Sequence, residues 1–235
     1  MYAEKREQRI DSLRTLLNVE DNLEQRYYVY QKLYSEYRHY NMNSALSIAE
    51  KKFIIAKELH NQQLIYTAEM NTAEILGILG MYKESLDITD LIDRQKLDMQ
   101  QWSNYFHLYH SLYSLMSANA MSQKEKNRYN QLISQYKDSI LQNMEQNSLG
   151  YNLVKSGKLI EQERLDEALL LMNQCYDEYE NDESQMGTMA YILSEIYEKK
   201  ADVEKEKQYL AISAISDLRK AVKSYIALRK LAVLL

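Results

Sequence analysis

Apolar residues recur along this chain at helical spacing. The clearest stripe is Tyr27, Tyr30, Tyr34 and Tyr37, whose steps are three, four and three residues. At ~100° per residue they share one face about 80° wide, as in an amphipathic helix. A second stripe ends the chain. From Asp217 to Leu235, Leu218, Val222, Tyr225 and Leu231 form an apolar face, and Arg219, Lys220, Lys223, Arg229 and Lys230 make the same segment basic. Followed along the whole sequence, the pattern predicts helices over 3–18, 22–40, 43–60, 62–79, 82–97, 100–118, 122–144, 147–161, 165–180, 184–200, 204–214 and 217–235. The 235 residues include no proline and only five glycines, where ordinary composition would give about a dozen prolines. Proline breaks helix interiors and punctuates turns, so its absence agrees with long helices and short connections.

The helices pair, and the pairs repeat. Gly80-Met81-Tyr82-Lys83-Glu84-Ser85-Leu86 places a glycine, an aromatic and then a small residue across the turn into a second helix. Ala73 lies twelve residues before Ser85, where a small side chain lets two helices approach closely. Ala45, Asn127, Ala168 and Glu206 take the place of Ser85 in the other pairs, and Ser156 stands twelve residues before Ala168. The anchors 45, 85, 127, 168 and 206 are spaced 40, 42, 41 and 38 residues apart. This resembles a tetratricopeptide array, with helices or loops longer than the usual period of about 34 residues. The expected fold is all-α, a tetratricopeptide-like α-α superhelix of about five helix pairs, read as one domain over 1–235. The last helix stops on Leu-Ala-Val-Leu-Leu with no cap and no following helix. Solenoids close on polar caps, so the domain is expected to be truncated from a longer protein.

Composition narrows the function. The net charge of −5 is unlike a duplex-binding module, which carries a basic face, so no nucleic acid is expected to bind this segment. Cys175 is the sole cysteine, which leaves no internal disulfide and no thiolate metal cluster. No apolar run approaches the ~20 residues of a membrane span, so any tie to a membrane is expected only through a missing C-terminal span.

Catalytic signatures are absent from the sequence: no dinucleotide or Walker loop, no metalloprotease or serine-hydrolase motif, no paired cysteines. Lys155-Ser156-Gly157-Lys158 lacks the upstream glycine and the strand of a phosphate loop. His107 and His110 share a helix face near Trp102, Tyr105, Phe106, Tyr109 and Tyr113, but two ligands do not make a metal site. Asp87, Asp90 and Asp93 along one helix, and Asp177, Glu178, Glu180, Asp182 and Glu183 at a helix end, read as solvated faces. The chain is therefore expected to be no enzyme and to use no cofactor or metal. Recognition fits better. The tyrosines, 21 against two phenylalanines and one tryptophan, offer large area and a hydroxyl at low entropic cost. Counted back from Ala45, Tyr27, Tyr30, Tyr34 and Tyr37 fall at positions that line the concave groove of such arrays, with Gln31 and Arg38 on the same face. These six are the expected ligand-groove residues; the alternative is that the rings fill contacts between neighbouring helix pairs.

Three segments resemble a known family. They are Lys5-Arg6-Glu7-Gln8-Arg9-Ile10-Asp11-Ser12-Leu13, Asn43-Ser44-Ala45-Leu46-Ser47-Ile48-Ala49-Glu50-Lys51 and Ala214-Ile215-Ser216-Asp217-Leu218-Arg219-Lys220-Ala221. Together they are similar to the N-terminal sensor region of Bacteroidota membrane-anchored regulators. In that family a signal peptide precedes tetratricopeptide-like repeats, followed by one transmembrane helix, a coiled coil and a LuxR-type DNA-binding helix-turn-helix. The resemblance implies an extracytoplasmic, periplasmic sensor or scaffold of a transcriptional regulator, binding a peptide, a partner protein or a second copy of itself. It also implies that the 217–235 helix passes a change in curvature onward. A cytoplasmic adaptor is the alternative.

Overall fold

A computed structural model describes residues 2–179, 183–219 and 225–235. Among them the chain is helical throughout: α1 (Tyr2–Val19), α2 (Leu23–Tyr37), α3 (Met42–Glu58), α4 (Gln62–Ile78), α5 (Tyr82–Asp90), α6 (Met99–Ala118), α7 (Gln123–Asn143), α8 (Leu149–Glu161), α9 (Leu165–Glu178), α10 (Glu183–Lys199), α11 (Val203–Leu218) and α12 (Ile226–Leu234). The all-α, tetratricopeptide-like expectation holds. Cα packing gathers the helices into two compact units, residues 1–139 and 140–235.

Local chemistry starts and stops these helices. Asn22, Asn41 and Asn61 cap α2, α3 and α4 by accepting backbone N–H groups of the first turn. Asp98 and Gln101 form a reciprocal capping box at α6, satisfying donors that the helix leaves orphaned. Four turns share one geometry. His60, Gly80, Glu163 and Ala201 each adopt a positive φ, between 51° and 83°. Around each, two N–H groups reach back into the preceding helix: Gly80 N to Gly77 O and Met81 N to Leu76 O, and likewise Glu163 N to Ile160 O and Arg164 N to Leu159 O. This is the left-handed C-cap that permits a reversal within three residues.

In the first unit α2 packs on α3, α3 on α4, and α4 on both α5 and α6. The core is built from Ile10, Leu33, Ala45, Ile48, Ala49, Ile55, Ala56 and Ile75 with the α2 tyrosines. The small positions work as expected: Ala45 and Ala73 are fully buried, and Ser85 Oγ donates to Ala73 O at 2.7 Å. Gly77 adds a close approach, since a Cβ there would lie 2.2 Å from Leu112 Cδ2 of α6. In the second unit Ala168, Met172, Met189, Leu193 and Ile196 form the main core. Leu210, Ala214 and Ala227 join α11 to α12.

Three expected spans are corrected. The helix placed at 82–97 ends at Asp90; the Asp93 side chain then accepts the N–H of Gln95 and opens a single 3-10 turn, Arg94–Lys96. The break placed after 214 does not occur, because Ala214 to Leu218 includes no helix breaker and α11 continues to Leu218. The helix placed at 217–235 is accordingly not one element. Its described part is α12, and Lys220, Val222 and Lys223 lie outside the described residues, as do Glu180 and Asp182 of the acidic cluster. A fourth correction concerns α7. Asn127, the expected close-approach residue, is exposed, and Ile140 is the one buried residue of that helix. Tyrosine rings meet α6 instead, with Tyr109 and Tyr136 stacked at 4.8 Å and nearly parallel. Rings are wider than an alanine methyl, so this pair stands further apart.

Candidate functional site

The first helices of three successive pairs, α2, α4 and α6, line a groove of about 620 Å³ within the first unit. Side-chain donors on one helix grip backbone carbonyls on its neighbour. Tyr27 Oη donates to Leu64 O at 2.9 Å and Tyr34 Oη lies 3.0 Å from Asn71 O. Gln101 Nε2 donates to Gln63 O at 2.6 Å and to Thr67 Oγ1 at 2.9 Å. Tyr34 Oη also lies 2.6 Å from Glu74 Oε2, and Arg38 approaches the other oxygen of that carboxylate at 3.5 Å. Burial, then the neighbouring Glu74 charge, pushes the Tyr34 hydroxyl far above its ordinary range, so it acts as a hydrogen-bond donor and not as an acid.

The six expected groove residues divide between two faces. Gln31, Tyr34 and Arg38 line the groove. Tyr27 is buried beside it, its hydroxyl spent on Leu64 O. Tyr30 and Tyr37 are buried on the α1 side and floor a different depression of about 680 Å³ between α1, α2 and α3. There Lys51 Nζ and the Arg14 guanidinium each lie 5.9 Å from a ring centroid, over Tyr30 and Tyr37 respectively. The physical reason is α1: it covers the face of α2 that a count from Ala45 leaves open. Much of the tyrosine stripe is packing between helices.

The structure adds residues that the sequence did not single out. Asn71, Glu74 and Asn104 join the groove wall, where His107 and His110, already paired in the sequence, also stand with His39. His107 is held toward its neutral form by burial. Among the described residues no three His, Cys, Asp or Glu side chains gather to hold a metal ion. Of the aspartates on α5, Asp87 pairs with Lys83 at 2.7 Å and Asp90 accepts from Tyr109 Oη; both are spent locally.

The largest surprise is Lys52 on α3, which is 0% exposed. Its ammonium donates to Gln31 Oε1 and Asn71 Oδ1 and sits 5.0 and 5.4 Å from the Tyr27 and Tyr34 ring centroids. Burial pulls its pKa down to about 7, with the Glu74 charge opposing. The sequence does contain a signal for it. Lys52 interrupts the buried stripe Ala45, Ile48, Ala49, Ile55 and Ala56, where a solvated lysine has no place.

Residues 1–235 match the family model described as the SusR N-terminal TPR domain. No curated protein matches the chain.

Proposed function

We propose, from the premise that this chain belongs to the SusR N-terminal TPR domain family, that it recognises a peptide or a segment of a partner protein in the groove of α2, α4 and α6. Helical repeats of this kind serve protein interaction or sensing, and their scaffold is typically non-catalytic. The observation that carries the reading is the groove's mixed lining. Gln31, Arg38, Asn71 and Asn104 stand along one open cleft beside Met70, Leu108 and Leu115, so the cleft offers apolar area together with hydrogen-bonding groups, as a peptide requires.

The resemblance supports a finer reading: the sensing part of a transcriptional regulator, outside the cytoplasm and tied to a membrane by a later segment. No helix among the described residues is long and apolar enough to cross a membrane. Reading the gene past the codon for Leu235 tests this part; an apolar span followed by a helix-turn-helix supports it, and an early stop overturns it.

Groove recognition is tested by thermal shift against a set of short synthetic peptides, using the wild type and Asn71→Ala. A peptide at 100 times its Kd stabilises the native state by about 2.7 kcal/mol. Peptides that raise the Tm of the wild type and not of the variant bear the reading out. Peptides that stabilise both equally place binding elsewhere.

A further inference from the structure

Lys52 lies directly behind two of the amides that face the groove. A protonated lysine carries three donor hydrogens and no acceptor, whereas an amide side chain offers an oxygen at one end and two N–H donors at the other. While Lys52 is an ammonium, Gln31 and Asn71 must both turn their oxygens inward to it, as they do here. Their NH2 groups are then the ends left for the groove, which both residues line. A neutral amine keeps two N–H donors and gains a lone pair, so it can hold both oxygens as before or accept an N–H from one amide. Once Lys52 loses its proton, one amide is free to invert and offer the groove its oxygen instead.

We propose that Lys52 is a buried polarity switch for the groove: protonated, it holds two amide donors toward hydrogen-bond acceptors such as a ligand carboxylate, and neutral, it releases one amide to the opposite orientation. This rests on the groove being the recognition site. The helices packed on α3 are α2 and α4. From α2 the charged and titratable groups are Tyr27 and Tyr34, whose rings flank the ammonium, and Arg38 at the groove wall. From α4 it is Glu74, whose carboxylate is engaged by Tyr34 and Arg38 and favours the charged lysine. On α3 itself, the neighbouring Lys51 leans over Tyr30 on the other face. His39, His107 and His110 share the groove, and burial holds His107 toward its neutral form. The switch works around neutrality because burial has already lowered the amine to about 7.

Side-chain NMR of the 235-residue chain tests this without a ligand. With lysine labelled at 13Cε and the Asn and Gln amides at 15N, one lysine signal should titrate with a midpoint near 7, and the Gln31 and Asn71 NH2 signals should move with it. Lys52→Met should flatten both movements. Amide shifts that persist in Lys52→Met and follow the imidazole signals belong to the histidines and overturn the switch. If that variant does not fold, the wild type decides alone: a Lys52 signal unchanged from pH 6 to 9 overturns it. The ligand arm uses a pool of random tetrapeptides lacking Asp and Glu, with free C-terminal carboxylates, and the same pool amidated. The free-acid pool should shift the Gln31 and Asn71 NH2 signals at pH 6. It should bind up to about thirtyfold more weakly at pH 8.5, since apparent affinity falls with the protonated, competent fraction. Equal shifts by both pools at both pH values leave a peptide groove and overturn the switch; no shift by either pool overturns the groove reading beneath it.

Discussion

Lys52 gives the clearest case of one residue whose chemistry is set by where the fold puts it. Its folded pKa, about 7, lies below the ordinary 10.5. Between those values the unfolded chain binds a proton that the folded chain does not, so stability rises with pH through that window. From pH 7 to 8.5 the gain should be about 1.5 kcal/mol, at 1.36 kcal/mol per unit once the folded amine is neutral. Urea unfolding of the wild type should show this rise, and Lys52→Met should be flat over the same range. From about pH 9, where an ordinary thiol loses its proton, the buried Cys175 thiol, held above that value, opposes the trend. Lys52 was hard to see in the sequence because a lysine that directly follows another, Lys51, usually belongs to a solvated face. Gln31, Tyr34 and Arg38 were easier: their register relative to Ala45 follows from the repeat alone. Tyr30 and Tyr37 needed the knowledge that α1 packs on α2, which no local pattern encodes.

At the scale of elements, the sequence carried the helices well and their exact ends less well. Asn22, Asn41, Asn61 and Asp98 are recognisable caps, and the regular apolar stripes left little doubt about α2, α3, α4 and α6. The ends of α5 and α11 depended on single side-chain choices, Asp93 capturing a backbone N–H and the absence of any breaker near Ala214. The left-handed turns were the hidden feature. Gly80 adopts its φ of 83° without strain, but His60, Glu163 and Ala201 hold the same conformation with a Cβ, at a cost of about 1 kcal/mol each. Glu163→Gly and Ala201→Gly should therefore each stabilise the chain by about 0.5–1 kcal/mol, measured as a shift in the urea midpoint with unchanged slope. Loss of stability in both variants would mean that their side chains outweigh the backbone strain.

For the molecule as a whole, contacts run between neighbouring helices, so stability should be local. Leu193 is fully buried in the second unit's core, and Leu193→Ala should cost about 2–5 kcal/mol there. Hydrogen exchange should show faster opening of α8 to α11 while α2 to α4 keep their protection; uniform acceleration would instead mean one cooperative fold. The grip between α2 and α4 bears on which changes such a chain can accept. Tyr27 donates to the carbonyl of Leu64, and Tyr34, which shares its one proton with Glu74, lies 3.0 Å from that of Asn71, seven residues apart on both helices. A carbonyl is present whatever side chain occupies the position, so replacements at Leu64 leave this acceptor in place. An inserted or deleted residue is different: it rotates everything after it by about 100°. One codon gained between Asn61 and Leu64 would misplace both acceptors and turn Asn71 away from Lys52, so this stretch should tolerate spelling changes and reject changes in length.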